Sequence, residues 1–203
     1  MALVNHDTKE VQFKIVYCGP AMAGKTTNLQ YIHSKIDDDR RGDLLQMATS
    51  TDRRVFFDYL PIGAVLIKGY HTKFMLYTVP GNCEYNATRQ LILRGADGIV
   101  FVVDGGRPPE ESRNALQVLR EGMKYANLPW EDTPWVTQLN KADHPPGILP
   151  LSTYPGFLGL QDRPHVEAVA AQGFNVFHTL NTVAEEVLQR FHVSLPERSA
   201  SHG

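Results

Sequence analysis

Cysteine is scarce in this chain. Cys18 and Cys83 are the only two among 203 residues, too few for a disulfide framework, and this points to a reducing cytoplasm. An excess of charge of one sign is also missing. Lys plus Arg is 20 and Asp plus Glu is 22, leaving a formal charge of −2 and no electrostatic footprint for bulk nucleic-acid binding. No apolar run approaches the roughly 18 residues of a transmembrane helix. The start, Met1-Ala2-Leu3-Val4-Asn5-His6-Asp7, lacks the basic and apolar regions of a secretory signal. Ala2 stands where myristoylation needs glycine, and Ser201-His202-Gly203 is no prenylation box, so no membrane anchor is expected. The histidines show no metal-ligand spacing, and Ser112, Ser152 and Ser194 lack the glycines of a nucleophile elbow, so neither a zinc site nor a hydrolase triad is expected. What is present is ordinary globular composition, 42% hydrophobic and 21% charged, at a length that suits one domain over 1–203.

Apolar runs alternate with amphipathic stretches. Strands are expected at 13–18, 56–60, 74–79, 98–104 and 135–139, with a weaker one at 165–170. Val65-Leu66-Ile67 and Gly69 suggest a hairpin between the second and third. Helical spacing is expected at 25–36, 109–126 and 175–191, and 37–43 reads as a charged loop. Strands alternating with helices imply a doubly wound, mostly parallel α/β sheet with helices on both faces. The segment 144–164 breaks the rhythm. Its prolines, Pro145, Pro146, Pro150, Pro155 and Pro164, exclude a long regular helix. It reads as a surface connection, or as a partner-contacting loop, because Ile148, Leu149, Leu151, Tyr154, Phe157, Leu158 and Leu160 are apolar for an exposed coil.

Two motifs carry chemistry. Gly19-Pro20-Ala21-Met22-Ala23-Gly24-Lys25-Thr26 matches G-x-x-x-x-G-K-[ST] after a strand and opening a helix. Its free N–H groups and the positive helix end suit a phosphate. Lys25, expected at the surface, would neutralise the β- and γ-phosphates, and the Thr26 hydroxyl would ligate Mg²⁺. Downstream, Asn140-Lys141-Ala142-Asp143 ends a strand at the sheet edge where open α/β folds bind ligands. The Asp143 carboxylate accepts twice, which suits the N–H and amine that guanine presents side by side. The stem of Lys141 can cover a ring face, and the Asn140 amide can bridge to the phosphate loop.

Together these motifs resemble a Ras-like small GTPase. The finer similarity is to the bacterial MglA group of gliding-motility and cell-polarity GTPases. It is carried by Lys14-Ile15-Val16-Tyr17, Gly24-Lys25-Thr26-Thr27-Asn28-Leu29, Phe56-Phe57-Asp58-Tyr59-Leu60-Pro61, Leu76-Tyr77-Thr78-Val79-Pro80-Gly81, Tyr85-Asn86-Ala87 and Leu91-Ile92-Leu93-Arg94-Gly95-Ala96-Asp97-Gly98. The resemblance implies a Ras-like P-loop fold with a sheet of six or so strands. It also implies GTP/GDP with Mg²⁺, switch I over about 44–58 and switch II over about 80–94. Gly19, Ala23, Gly24, Lys25, Thr26, Thr27 and Gly81 would contact the phosphate side. Asn140, Lys141, Asp143 and a backbone N–H near Ala170 would contact the base. Arg53 takes the place of a built-in arginine finger, and Asp58 that of a metal-shell carboxylate, for which a plain strand-edge carboxylate is an equal reading. A roadblock-type, MglB-like dimer is the implied activator.

The sequence departs from that family in two catalytic places. Arg54 stands where a threonine would reach Mg²⁺, and a guanidinium has no lone pair to give. Asn82 replaces the glutamine that orients water, with one methylene less. Two readings stay open: a switch that hydrolyses GTP slowly, and a pseudo-GTPase scaffold that holds nucleotide with negligible turnover. An ATP-dependent P-loop kinase shares 19–26. The run Asn140–Asp143 and the lack of an Arg-rich lid argue against it. The segment 144–164 departs as well, lying where the family has a helix.

Overall fold

The computed structural model describes residues 2–48, 55–67, 69–81, 86–144 and 149–194. Among them the chain runs β1 (Leu3–Asn5), β2 (Glu10–Cys18), α1 (Lys25–Lys35), β3 (Leu45–Ala48), β4 (Val55–Ile67), β5 (Tyr70–Thr78) and α2 (Asn86–Leu93). It continues through β6 (Gly98–Asp104), α3 (Pro109–Tyr125), β7 (Trp135–Asn140), α4 (Tyr154–Leu158), β8 (His165–Ala168) and α5 (Val176–Ser194). The strand order is β3-β4-β5-β2-β6-β7-β8, with β1 paired antiparallel to β2. That makes eight strands where six or so were expected; β1 and β3 are the additions, each too short to show a period.

The five strands β5, β2, β6, β7 and β8 are mutually parallel, so their C-terminal ends share one edge of the sheet. β4 hairpins back onto β5 across Gly69, and β3 extends the sheet antiparallel to β4. β2 has β5 on one side and β6 on the other, which makes its C-terminal end the point where the connections diverge.

Alternation along the central strands feeds two cores. Phe13, Ile15 and Tyr17 of β2 and Val100 and Val102 of β6 face α1 and α5. Val16 and Cys18 of β2 and Ile99, Phe101 and Val103 of β6 face α2, α3 and α4. Both faces are covered, so β6 is buried at every position and reads as an unbroken apolar run. α3 begins at Pro109, whose missing N–H costs nothing in a first turn, and Glu110 and Glu111 follow there against the positive helix end.

The Pro-rich connection ends in a five-residue helix, with Pro155 in its first turn and Gly159 at positive φ closing it. Tyr154, Leu158 and Leu160 are buried in the α3-side core, and Leu149, Leu151 and Phe157 pack against it. Their apolarity is therefore used internally, which corrects the partner-contacting reading for these residues. Ile148 lies outside the described residues. Among the described residues no helix is long and apolar enough to cross a membrane.

Candidate functional site

Every chemistry-bearing motif comes to the C-terminal edge of the parallel strands. Loop 19–24 leaves β2 and enters α1. Gly24 caps that helix at φ 101, where a Cβ would sit 2.2 Å from Asn140 Nδ2, so only glycine fits. Met22 also has positive φ, at 61°, with its side chain 75% exposed. Thr27 follows half-buried in the first turn of α1.

Lys25 is not at the surface as expected. It is buried, and its Nζ donates to the carbonyls of Gly19 at 3.0 Å and Pro20 at 2.5 Å. Burial lowers its ammonium to about 8. The physical reason is that the loop carbonyls fold around the amine and take it from water. Arg89 of α2, 6% exposed, donates to the Pro80 carbonyl at 3.3 Å and lies near enough to oppose the charge on Lys25. Two cations therefore converge beside a loop that offers its N–H groups, an arrangement that favours an anion. Between loop 19–21, residues 79–81, Arg89 and α3 lies a cavity of about 230 Å³. Gly81 is pressed onto the loop, where a Cβ would meet Ala21 N at 2.3 Å.

A second cluster sits at the first turn of α1. The Thr26 hydroxyl donates to Asp58 Oδ2 at 2.6 Å and the Thr78 hydroxyl to the same oxygen at 2.8 Å. Gln46 Nε2 reaches Asp58 Oδ1 at 3.2 Å, and the Asp58 N–H donates to Thr78 Oγ1 at 2.8 Å. Asp58 is fully buried. The Asp58 carboxylate beside the Thr26 hydroxyl is a hard-oxygen donor set that suits Mg²⁺ when phosphate oxygens complete it, with Thr78 holding the carboxylate in place. No group of three or more His, Cys, Asp or Glu that could hold a metal occurs among the described residues.

The third part is the end of β7. Asn140, 2% exposed, donates from Nδ2 to the Ala23 carbonyl at 2.7 Å and accepts the Ala170 N–H on Oδ1 at 2.9 Å. It ties the loop after β2 to the turn after β8. The Ala170 N–H, expected to face the base, is engaged by Asn140 because the turn packs over the end of β7. Lys141, at φ 61, donates to the buried Asp104 Oδ2 at 2.6 Å, so its stem is held at the site. Asp143 is exposed and accepts from Gln172 Nε2 at 3.0 Å.

The structure thus gathers Gly19, Ala23, Gly24, Lys25, Thr26, Thr27, Asp58, Gly81, Asn140, Lys141, Asp143 and Ala170 along one edge. Arg53, Arg54, Asn82 and Cys83 lie outside the described residues. Asp104, Gln46 and Arg89 also stand at this edge and were not expected from the sequence. Asp104 ends β6 as Asn140 ends β7, and that position was the available signal. Nothing local marks Gln46 or Arg89.

No family model matches the chain. The mutual gliding-motility protein MglA of Myxococcus xanthus (strain DK1622) is 41% identical over 189 residues, covering 93% of this chain and 96% of that protein.

Proposed function

The chain belongs to the MglA family of Ras-like small GTPases, and on that footing we propose that it is a guanine-nucleotide switch of gliding motility and cell polarity. The proposal takes residues 1–203 as one domain working in the cytoplasm. The observation that carries it is the pair of hydrogen bonds made by Asn140, to the phosphate loop at the Ala23 carbonyl (2.7 Å) and from the turn after β8 at the Ala170 N–H (2.9 Å). One buried amide joining loops that far apart in the chain supports a single ligand site that spans both.

In this reading the backbone of Gly19, Ala23 and Gly24 and the first turn at Thr26 and Thr27 cradle phosphates at the helix N-terminus. Lys25 exchanges the carbonyls of Gly19 and Pro20 for phosphate oxygens, its charge countering the β- and γ-phosphates. Thr26 and Asp58 would hold Mg²⁺, which neutralises charge on the phosphates when bound. Gly81, already against the loop, brings switch II to the γ-phosphate. Asp143 accepts from guanine, Lys141 covers the ring face, and Ala170 shares its N–H between Asn140 and the base.

Hydrolysis is proposed to be slow. Arg53 supplies charge stabilisation, while Asn82 orients water with one methylene less reach and Arg54 offers the metal nothing. A roadblock-type, MglB-like dimer is the proposed activator. The same two departures favour a second reading, a scaffold that binds nucleotide without turning it over. Binding of GDP, ADP and XDP tests the base assignment. Single-turnover GTP hydrolysis, with and without a roadblock partner, separates switch from scaffold. Preference for ADP would overturn the guanine reading.

A further inference from the structure

Behind the phosphate loop lies a buried polar network that the site as described does not use. Asn28 of α1 and Gln138 of β7 are both fully buried. Their amides pair head to tail: Asn28 Nδ2 donates to Gln138 Oε1 at 2.7 Å and Gln138 Nε2 to Asn28 Oδ1 at 2.9 Å. Each amide has one further N–H and uses it. Asn28 Nδ2 donates to the Gly24 carbonyl at 2.9 Å, and Gln138 Nε2 donates to Thr179 Oγ1 of α5 at 3.0 Å. The Thr179 hydroxyl passes its own hydrogen to the Asn175 carbonyl at 2.9 Å.

Stability alone does not call for these groups. A hydrogen bond between buried amides nets only about 1 kcal/mol, and a matched apolar pair of similar shape serves a core about as well. What an amide pair adds is direction. Gln138 and Asn140 are two apart on β7 and so share a face. From that face Asn140 holds the Ala23 carbonyl directly, and Gln138 holds the Gly24 carbonyl through Asn28. Consecutive carbonyls of the phosphate loop are thus both registered to the strand that ends in Lys141 and Asp143. Thr179 ties the same pair to α5, the helix that follows the Ala170 turn.

We infer that Asn28 and Gln138 are positioning residues that couple the phosphate half of the nucleotide site to its base half, with Thr179 as the third member. The inference rests on the guanine-nucleotide reading above. Without this network Asn140 still ties the halves, but less firmly, so bound nucleotide escapes faster while base preference is kept.

The test is release of ribose-labelled GDP from the Mg²⁺-loaded full chain, with melting temperatures and the GDP-to-XDP affinity ratio. The variants are Asn28→Leu, Gln138→Leu, the double Leu variant and Thr179→Val. Each single Leu variant leaves a lone buried amide and is expected to lose both stability and retention. The double variant, with two apolar groups facing each other, recovers the melting temperature and still releases GDP at least about tenfold faster, or about 1.4 kcal/mol. Its GDP-to-XDP ratio stays that of wild type. Thr179→Val exchanges one hydroxyl for a methyl, keeps the fold, and releases GDP about threefold faster, or about 0.7 kcal/mol. A double variant that holds GDP as wild type does, or unchanged release from Thr179→Val, would make the network a packing feature and overturn the inference. Wild type that binds no GDP would fail differently, taking down the guanine reading itself.

Discussion

Replacing Asn140 by alanine strips two partners at once from a side chain that is 2% exposed. The Ala23 carbonyl loses its donor at 2.7 Å, and the Ala170 N–H loses its acceptor at 2.9 Å. Ala23 is fully buried and Ala170 is 2% exposed, so water does not readily replace either bond. Leaving one buried polar group unpaired costs about 1–3 kcal/mol, so two such groups cost about 2–4 kcal/mol on a cautious sum. In a chain of this size each kcal/mol moves the melting temperature by about 2–4 °C. The nucleotide-free variant is therefore expected to melt about 4–16 °C below wild type. Excess GDP should widen that gap, because a ligand that stabilises wild type binds poorly to a loop and strand no longer registered to each other. Asn140→Asp is no rescue: it keeps an acceptor for Ala170 but turns a carboxylate toward the Ala23 carbonyl. Thermal unfolding followed by circular dichroism, with and without GDP, reads both effects. An alanine variant that melts within about 2 °C of wild type in both conditions would mean that Asn140 holds neither loop.

Lys25 makes stability depend on pH. Burial lowers its ammonium from 10.5 to about 8, so the folded state sheds that proton first. The Lys25 contribution to nucleotide-free stability should rise between about pH 8 and 10.5 and be lowest below that window; it is read as the difference between urea titrations of wild type and of Lys25→Met, which also binds no GDP, and two pH profiles that run parallel would count against the buried ammonium. Asn82→Gln with Arg54→Thr restores reach and a hydroxyl, so single-turnover GTP hydrolysis should quicken at least about tenfold, a barrier change of about 1.4 kcal/mol. Adding Arg53→Ala should remove much of that gain. A wild type already as fast as the double variant and indifferent to Arg53→Ala would strip both residues of their roles.

The phosphate loop, β6, β7 and the three long helices were legible because each spans enough residues for a period or a motif to repeat. β3 was not, being four residues long. The motif around Asn140 announced its bridge to the loop, and the structure supplies that bond. Position and chemistry were less legible than motif. Lys25 was expected in water because lysines usually are, yet tertiary folding of the loop wraps two carbonyls around it. Asn28 and Gln138 are 110 residues apart and each looks like an ordinary polar residue, so only three-dimensional pairing reveals them. The apolar side chains after Pro150 fitted either a surface connection or a partner-contacting loop because sequence cannot say which side of a connection faces the core. Tyr154 and Leu160 turn inward against α3, and the Tyr154 hydroxyl closes on the Arg107 carbonyl at 2.9 Å.

If the end of β7 selects guanine, the selecting group is Asp143. Its carboxylate is exposed at the sheet edge, with Gln172 Nε2 at 3.0 Å. Asp143→Asn turns part of an acceptor into a donor, which suits a base with a carbonyl where guanine has its amine. Affinities for GDP, XDP and ADP should be measured on wild type and on Asp143→Asn. Wild type is expected to prefer GDP and the variant XDP. An unchanged GDP-to-XDP ratio in the variant, or a wild type that prefers ADP, would contradict guanine selection by Asp143.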